Sequence, residues 1–201
     1  DWAGVRRHCE VALSQTPLAL WSARNVAIVF CSGAHQAMGE LAQAYAVFDA
    51  QIRLVGAYGA TAHQRLLIAK CHISSIAGDL RSLAKTVAAA RSLNHEPVWT
   101  SYEAWLRYFS ATVAYYHNDL PGAEQALAEL MPRRYQATPH CFVQSVCVLA
   151  MTYQAQGRPT AANDLVTQAL AHLQDMGNAI TAAQLRAFQA DLALRQGRPE
   201  E

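Results

Sequence analysis

The stretch Leu149–Pro159, LAMTYQAQGRP, predicts the end of one helix, a break at Gly157 and a second helix that begins at Pro159. Glycine just after a helix and proline in the first turn of the next helix are positions that these residues favour. Almost the same stretch returns as Asp191–Pro199, DLALRQGRP, and both copies contain Gln-Gly-Arg-Pro. The recurrence predicts that the chain is built from repeated pairs of helices.

Residues that tolerate a left-handed backbone recur at a regular spacing along the chain. We call them the hinge residues; they are Gly39, Gly78, Asn118, Gly157 and Gly197, with successive spacings of 39, 40, 39 and 40 residues. Glycine and asparagine most readily adopt the conformation that ends a helix. Two-helix repeats cannot bury their apolar faces alone and must stack on their neighbours. The spacing therefore predicts an all-α solenoid.

Each hinge residue has the same kinds of neighbour. A small residue lies seven positions before it, and apolar residues lie five and nine positions after it. Small residues let two antiparallel helices approach closely, and the larger apolar residues fill the next gap. These positions are Ser32, Cys71, Ala111, Ala150 and Ala190 before the hinges, and Ala44, Leu83, Ala123, Ala162, Phe48, Val87, Leu127 and Val166 after them. We predict in particular that Ala150, Ala162 and Ala169 are buried where the fourth helix pair closes.

The pattern predicts a single TPR-like domain over residues 1–201, a right-handed superhelix cut from a longer chain. First helices should line its concave side and second helices its convex side. A helix at about 2–14 precedes four helix pairs, and an unpaired helix follows them. The predicted pairs span 18–56 (18–37 and 41–56), 60–93 (60–77 and 79–93), 98–131 (98–117 and 120–131) and 139–175 (139–156 and 159–175), and the last helix spans 179–196.

Composition limits the classes of function. The chain has 201 residues, of which 52% are hydrophobic and 15% charged, and its net charge is +1. Nucleic-acid surfaces need a basic stripe, so direct contact with nucleic acid is not expected, and the basic doublets Arg6-Arg7 and Arg133-Arg134 are interpreted as solvated faces. No membrane-spanning segment is expected. Five cysteines without a Cys-x-x-Cys pair favour reduced thiols in a cytoplasmic protein.

The sequence offers no catalytic or metal-binding motif. No phosphate loop of the form G-x-x-x-x-G-K-[ST] and no G-x-S-x-G elbow is present. None of His35, His63, His72, His117 and His140 is expected to have a metal-ligand partner at helical spacing. We therefore expect neither enzymatic activity nor a cofactor nor a bound metal.

One predicted first helix is rich in aromatic residues. Trp105, Tyr108 and Tyr115 share one stripe on the helix that follows Trp99. Such a stripe is either core between neighbouring repeats or the wall of a binding groove, and both interpretations remain open at this point. If it is a groove wall, the equivalent positions of the other first helices complete it. The candidate site then consists of Arg65, His72, Trp105, Tyr108, Tyr115, Gln144, Met151 and Gln184.

Three segments resemble a known family. Leu149–Pro159, Arg133-Arg134-Tyr135-Gln136 and the run from Asn118 to Ala126 resemble the superhelical domain of MalT-like, LuxR-type ATP-dependent transcriptional regulators. The family joins an ATPase module, a helical-repeat sensor and a DNA-binding helix-turn-helix. Because this chain has neither a phosphate loop nor a recognisable helix-turn-helix, the resemblance implies the sensor role alone.

The resemblance implies that a small-molecule inducer or a protein partner binds in the concave groove and changes the self-association of the complete regulator. The alternative is a generic TPR-like scaffold that holds a protein partner in another signalling protein. A small inducer predicts one closed pocket of converging polar groups, whereas a scaffold predicts a long open groove.

Overall fold

A computed structural model describes residues 1–55, 59–93 and 100–198, and nearly all of them are helical. The α-helices are α1 (Trp2–Gln15), α2 (Trp21–Ala37), α3 (Leu41–Val55), α4 (Ala60–Ile76), α5 (Leu80–Ser92), α6 (Ser101–Tyr116), α7 (Leu120–Ala128), α8 (Pro139–Ala155), α9 (Pro159–Asp175) and α10 (Ala179–Arg195). Two short 3-10 helices, Leu18–Leu20 and Met131–Gln136, connect α1 to α2 and α7 to α8. The described residues contain no strand, so the all-α prediction is confirmed.

The predicted helices are present, with small differences at their ends. Helix α2 begins at Trp21 rather than at residue 18, because a 3-10 turn follows Pro17. Helix α7 ends at Ala128 rather than at residue 131. Pro132 has no N–H with which to continue α7, and the chain turns there into the second 3-10 helix. Positions 56, 98 and 99, where two predicted helices end or begin, lie outside the described residues.

All five hinge residues adopt the predicted left-handed backbone. Their φ angles are 80° at Gly39, 68° at Gly78, 60° at Asn118, 73° at Gly157 and 72° at Gly197. After each hinge the next residue donates its backbone N–H to the carbonyl five residues earlier, at 2.8–2.9 Å. This bond satisfies a carbonyl that the helix end leaves free. The side chains of Asp79 and Asp119 then cap the following helices by accepting from the backbone N–H of Ser82 and Gly122.

The chain divides into two compact units, residues 1–97 and 98–201, and each is described by itself. In the first unit, helices α1 to α5 each pack on the next in sequence, and α2 also packs on α4. In the second unit, α6 to α10 do the same, while α6 also packs on α8 and α8 on α10. Within each unit the first helices of successive pairs are therefore in contact. A single domain over the whole chain stays a prediction.

Burial follows the positions counted from the hinge residues. The predicted contact residues are all buried except Ala190, which is exposed. Ala150, Ala162 and Ala169 are 0%, 0% and 3% exposed, as predicted. Phe48 is in the core of the first unit, and Leu127 is in the core of the second. None of the described helices is long and apolar enough to cross a membrane.

Side-chain pairs join successive helix pairs at a constant register. Arg6 Nη1 lies 3.3 Å from Glu40 Oε2, and the Tyr45 hydroxyl lies 3.1 Å from Asp79 Oδ2 in the same unit. In the second unit, Arg158 Nη1 donates to both carboxylate oxygens of Glu124 at 3.0 Å. The partners are 34 residues apart in every case, and the later partner directly follows a hinge residue. We call these three contacts the register pairs.

Candidate functional site

A cavity of about 110 Å³ lies in the second unit, where the 3-10 helix Met131–Gln136 meets α8 and α9. We call it the Arg134–His172 cavity, after its two basic residues. The 3-10 helix supplies Arg134, α8 supplies Phe142, and α9 supplies His172. Its remaining lining residues are Met131, Leu165, Gln168 and Ala169.

Local sequence explains how the cavity forms. Pro132 diverts the chain after α7 into the 3-10 helix, which carries Arg134. The Thr138 side chain then caps α8 by accepting from the backbone N–H of Cys141 at 3.2 Å, and Pro139 occupies the first turn. The ten residues between α7 and α8 thus leave room that a tight hairpin connection would close.

Arg134 is incompletely satisfied in the described part of the chain. Its Nη1 donates to the carbonyl of Met131 at 3.4 Å, whereas its Nε is buried without a hydrogen-bond partner. A buried guanidinium N–H without an acceptor costs free energy. An acceptor in the neighbouring cavity would remove that cost, so the arginine favours a ligand with an anionic or carbonyl oxygen.

Two aromatic rings contact the His172 imidazole in T-shaped, edge-to-face arrangements. Tyr135 and Phe142 have ring centroids 4.9 and 5.5 Å from the imidazole, at interplanar angles of 87° and 85°. The guanidinium of Arg134 lies 5.0 Å from the Tyr135 ring. Burial and the positive charge of Arg134 lower the pKa of His172, and Asp175 opposes the shift. The imidazole is therefore mainly neutral at pH 7, with one nitrogen that can donate a hydrogen bond to a ligand and one that can accept.

The combination of groups selects a chemical class of ligand. Arg134, His172 and Gln168 are polar, and Met131 and Phe142 are apolar, which suits an anionic group on an apolar stem. Liquid water occupies about 30 Å³ per molecule, so a cavity of this size holds only a few heavy atoms. It would hold the carboxylate end of a ligand and not a whole cofactor.

The lowered pKa of His172 makes the stability of the fold depend on pH. Its folded pKa lies below the ordinary histidine value of 6.5, so the unfolded chain binds the proton more readily. The stabilisation is complete above about pH 6.5 and is lost as the pH falls through the folded pKa. We expect the melting temperature of His172→Gln to fall less between pH 7 and pH 5 than that of the parent. The exposed His8→Gln serves as the control, and equal slopes in all three proteins would contradict the prediction.

Six of the residues predicted from sequence lie on first helices of the second unit: Trp105, Tyr108 and Tyr115 on α6, Gln144 and Met151 on α8, and Gln184 on α10. Tyr108 is only 8% exposed and packs on Phe109 with ring centroids 4.9 Å apart, which favours the core interpretation for this ring. Trp105 is partly buried and reaches His140 on α8 at 5.7 Å. None of the six lines the Arg134–His172 cavity.

The other two predicted residues, Arg65 and His72, lie on α4 in the first unit. The Arg65 guanidinium is 5.1 Å from the ring of Trp21, and His72 is partly buried. A common binding wall formed by all eight predicted residues stays a prediction.

Sequence reasoning missed the cavity because it treated Arg133-Arg134 as a solvated doublet. Arg133 is exposed, but Arg134 is partly buried. One signal was available in the sequence. Arg133, Arg134 and Tyr135 lie between α7 and α8, in the longest connection between successive α-helices of the second unit. Binding residues are often found on such connecting segments.

The expectation that no histidine has a metal-ligand partner at helical spacing is wrong for His35. Cys31 precedes it by four residues on α2, a spacing that places both on one helix face. Helix α1 adds Glu10, and the ligand atoms of the three side chains lie within 4.8 Å of one another.

Comparison with known proteins adds no relatives: no protein-family model matches the chain, and no curated protein is significantly similar to it. The resemblance to MalT-like regulators is therefore carried only by the residues quoted for it.

Proposed function

We propose that this chain is a non-catalytic helical-repeat sensor of a cytoplasmic, MalT-like LuxR-type transcriptional regulator. In this proposal the helix pairs form a right-handed α-solenoid with a period of 39–40 residues. Three features support the repeat: the same backbone bond after each hinge residue, the contacts between first helices within each unit, and the register pairs.

The Arg134–His172 cavity is the observation that carries the binding role. An inducer or partner would place an acidic group against Arg134, whose Nε has no acceptor in the described residues. The apolar part of the ligand would contact Phe142, Leu165 and the exposed Tyr135 ring. We propose the predicted wall around Trp105, Gln144 and Gln184 on the first helices as a separate contact region.

Benzoate is a suitable probe because it joins a carboxylate to an apolar ring. We expect it to bind the second unit, and Arg134→Gln to weaken that binding by at least about tenfold, because a hydrogen bond to a charged group is worth about 1.5–3 kcal/mol. Arg133→Gln is the matched control at the neighbouring exposed position and should bind as the parent does. Chemical shifts of the backbone amides measure the affinity and report the site.

Benzyl alcohol has a similar ring without the charge. Its affinity for the parent should be no higher than the affinity of benzoate for Arg134→Gln. Equal benzoate affinity in the two arginine variants would contradict the role of Arg134. Shifts confined to other helices would contradict the cavity as the site.

The small cavity volume also favours a second candidate, a scaffold that binds a protein partner. Here the cavity would accept one acidic side chain of a peptide, and the exposed Tyr135 would contact the neighbouring peptide residues. An acidic peptide that binds far more tightly than benzoate, with loss of binding in Arg134→Gln, would support the scaffold. A small carboxylate that binds as tightly as the peptide would support the inducer sensor.

Sequencing the flanking coding region tests the family assignment separately. A phosphate loop before residue 1 and a helix-turn-helix after residue 201 would support a MalT-like regulator. A complete reading frame that contains neither would overturn that assignment.

A further inference from the structure

The strongest chemistry outside the Arg134–His172 cavity lies between α1 and α2 in the first unit. Cys31 and His35 are buried one turn apart on α2, and Glu10 faces them from α1. A thiol, an imidazole and a carboxylate are the three side-chain types that bind zinc. Their ligand atoms lie within 4.8 Å of one another. We propose that Cys31, His35 and Glu10 bind a divalent metal ion of the zinc class.

The hydrogen bonding of His35 leaves the correct nitrogen for a metal. Its Nδ1 lies 2.7 Å from the carboxylate of Glu40, which can only accept, so Nδ1 carries the proton. In the neutral imidazole Nε2 then has the lone pair, and it faces Glu10 Oε1 at 4.0 Å, a distance too long for a hydrogen bond. A carboxylate that orients the far nitrogen of a ligating histidine is a frequent feature of metal sites. Glu40 is therefore a positioning residue in this proposal.

The distances need only a small closure around an ion. Zinc bonds of 2.0–2.3 Å at tetrahedral angles place ligand atoms about 3.3–3.8 Å apart. Cys31 and His35 are fixed in the core, whereas the Glu10 side chain is 54% exposed and can rotate toward them. Three protein ligands leave a fourth position for water. Cys9 is close enough to Cys31 to raise the pKa of its thiol.

The charges balance when the ion is present. Coordination releases the Cys31 proton to solvent, so the thiolate and Glu10 together compensate the two positive charges of the ion. Arg6 compensates the remaining carboxylate, because its Nη1 lies 3.3 Å from Glu40 Oε2. Its Nε also lies 3.7 Å from Glu10 Oε1, an ion pair that the bound ion would replace. The competing explanation is that His35 only bridges the two glutamates as part of an ion-pair network, with no metal.

Cobalt(II) distinguishes the two explanations, because a cobalt–thiolate bond gives a charge-transfer absorption band in the near ultraviolet. We expect the metal-free chain of 201 residues to develop this band on addition of cobalt(II), to saturate at one ion per chain, and to lose the band when zinc displaces cobalt. A parent chain without the band would overturn the proposal, and this result needs no variant.

Variants then assign the ligands. Cys31→Ser should abolish the band, and His35→Gln and Glu10→Gln should each weaken cobalt binding by at least about tenfold. Glu40→Gln should keep the band and weaken binding by about 10–100-fold, the range found for residues that orient a ligand. Cys147→Ser and the exposed His8→Gln are matched controls that should bind as the parent does. A band that persists in Cys31→Ser, or that is lost in Cys147→Ser, would overturn the assignment, and circular dichroism confirms that each variant is folded.

Discussion

Replacing Phe48 with alanine is expected to lower the free energy of unfolding by about 3–5 kcal/mol. The ring is 0% exposed and packs in the first unit's core with Ile28 and Leu66. Deleting it removes buried apolar surface and leaves a cavity that the surrounding helices can fill only in part. Because total stabilities are about 5–15 kcal/mol, the loss should produce a large drop in the urea midpoint.

Phe30 provides the matched control for this substitution. It is the same residue type on the preceding helix, but its side chain is 56% exposed. We expect Phe30→Ala to change the free energy of unfolding by no more than about 0.5 kcal/mol. Similar losses in the two variants would show that the face of α3 that meets the core has been assigned incorrectly.

Replacing Ala150 with leucine is expected to cost about 1–3 kcal/mol through overpacking. Ala150 is 0% exposed on α8, which packs on α6, α7, α9 and α10. Three additional carbon atoms at this position must push helices apart or adopt a strained rotamer. The melting temperature and the urea midpoint should both fall.

Ala190 controls for the residue type and for the position in the repeat. It also lies seven residues before a hinge residue, but it is exposed. Ala190→Leu should therefore leave stability within about 0.5 kcal/mol of the parent. A melting temperature of Ala150→Leu equal to that of the parent would contradict the close helix contact.

The sequence was sufficient for the helices and hinges because their causes are local. The left-handed backbone at Gly157 and Asn118 follows from the residue types, and Asp79 caps the next helix through a bond within four residues. The buried small residues were also predictable, since they recur at fixed distances from each hinge. Ala190 differs because burial depends on which helix packs against that face, and residue spacing does not supply this information.

The candidate site was less predictable because it depends on contacts between elements. Periodicity identified the stripe that contains Tyr108, but it could not decide which side of α6 the core would cover. The Arg134–His172 cavity depends on how the 3-10 helix Met131–Gln136 packs against α9, which residue spacing does not specify. The Cys31 and His35 pair was visible at its four-residue spacing, whereas Glu10 joins it only through the packing of α1 on α2.

The later residue of a register pair has a negative charge in the first unit and a positive charge in the second, and this affects how repeats can be exchanged. In the register pairs the residue after the hinge is acidic in the first unit, Glu40 and Asp79, and basic in the second, Arg158. Asp119 also follows a hinge residue in the second unit, but it caps α7 and is not in a register pair. A helix pair copied from the first unit and inserted after α7 would place its carboxylate against that of Glu124, where like charges repel. Gene duplication or recombination that places a first-unit helix pair after α7 would therefore lose this ion pair unless the residue at one of the two positions also changes.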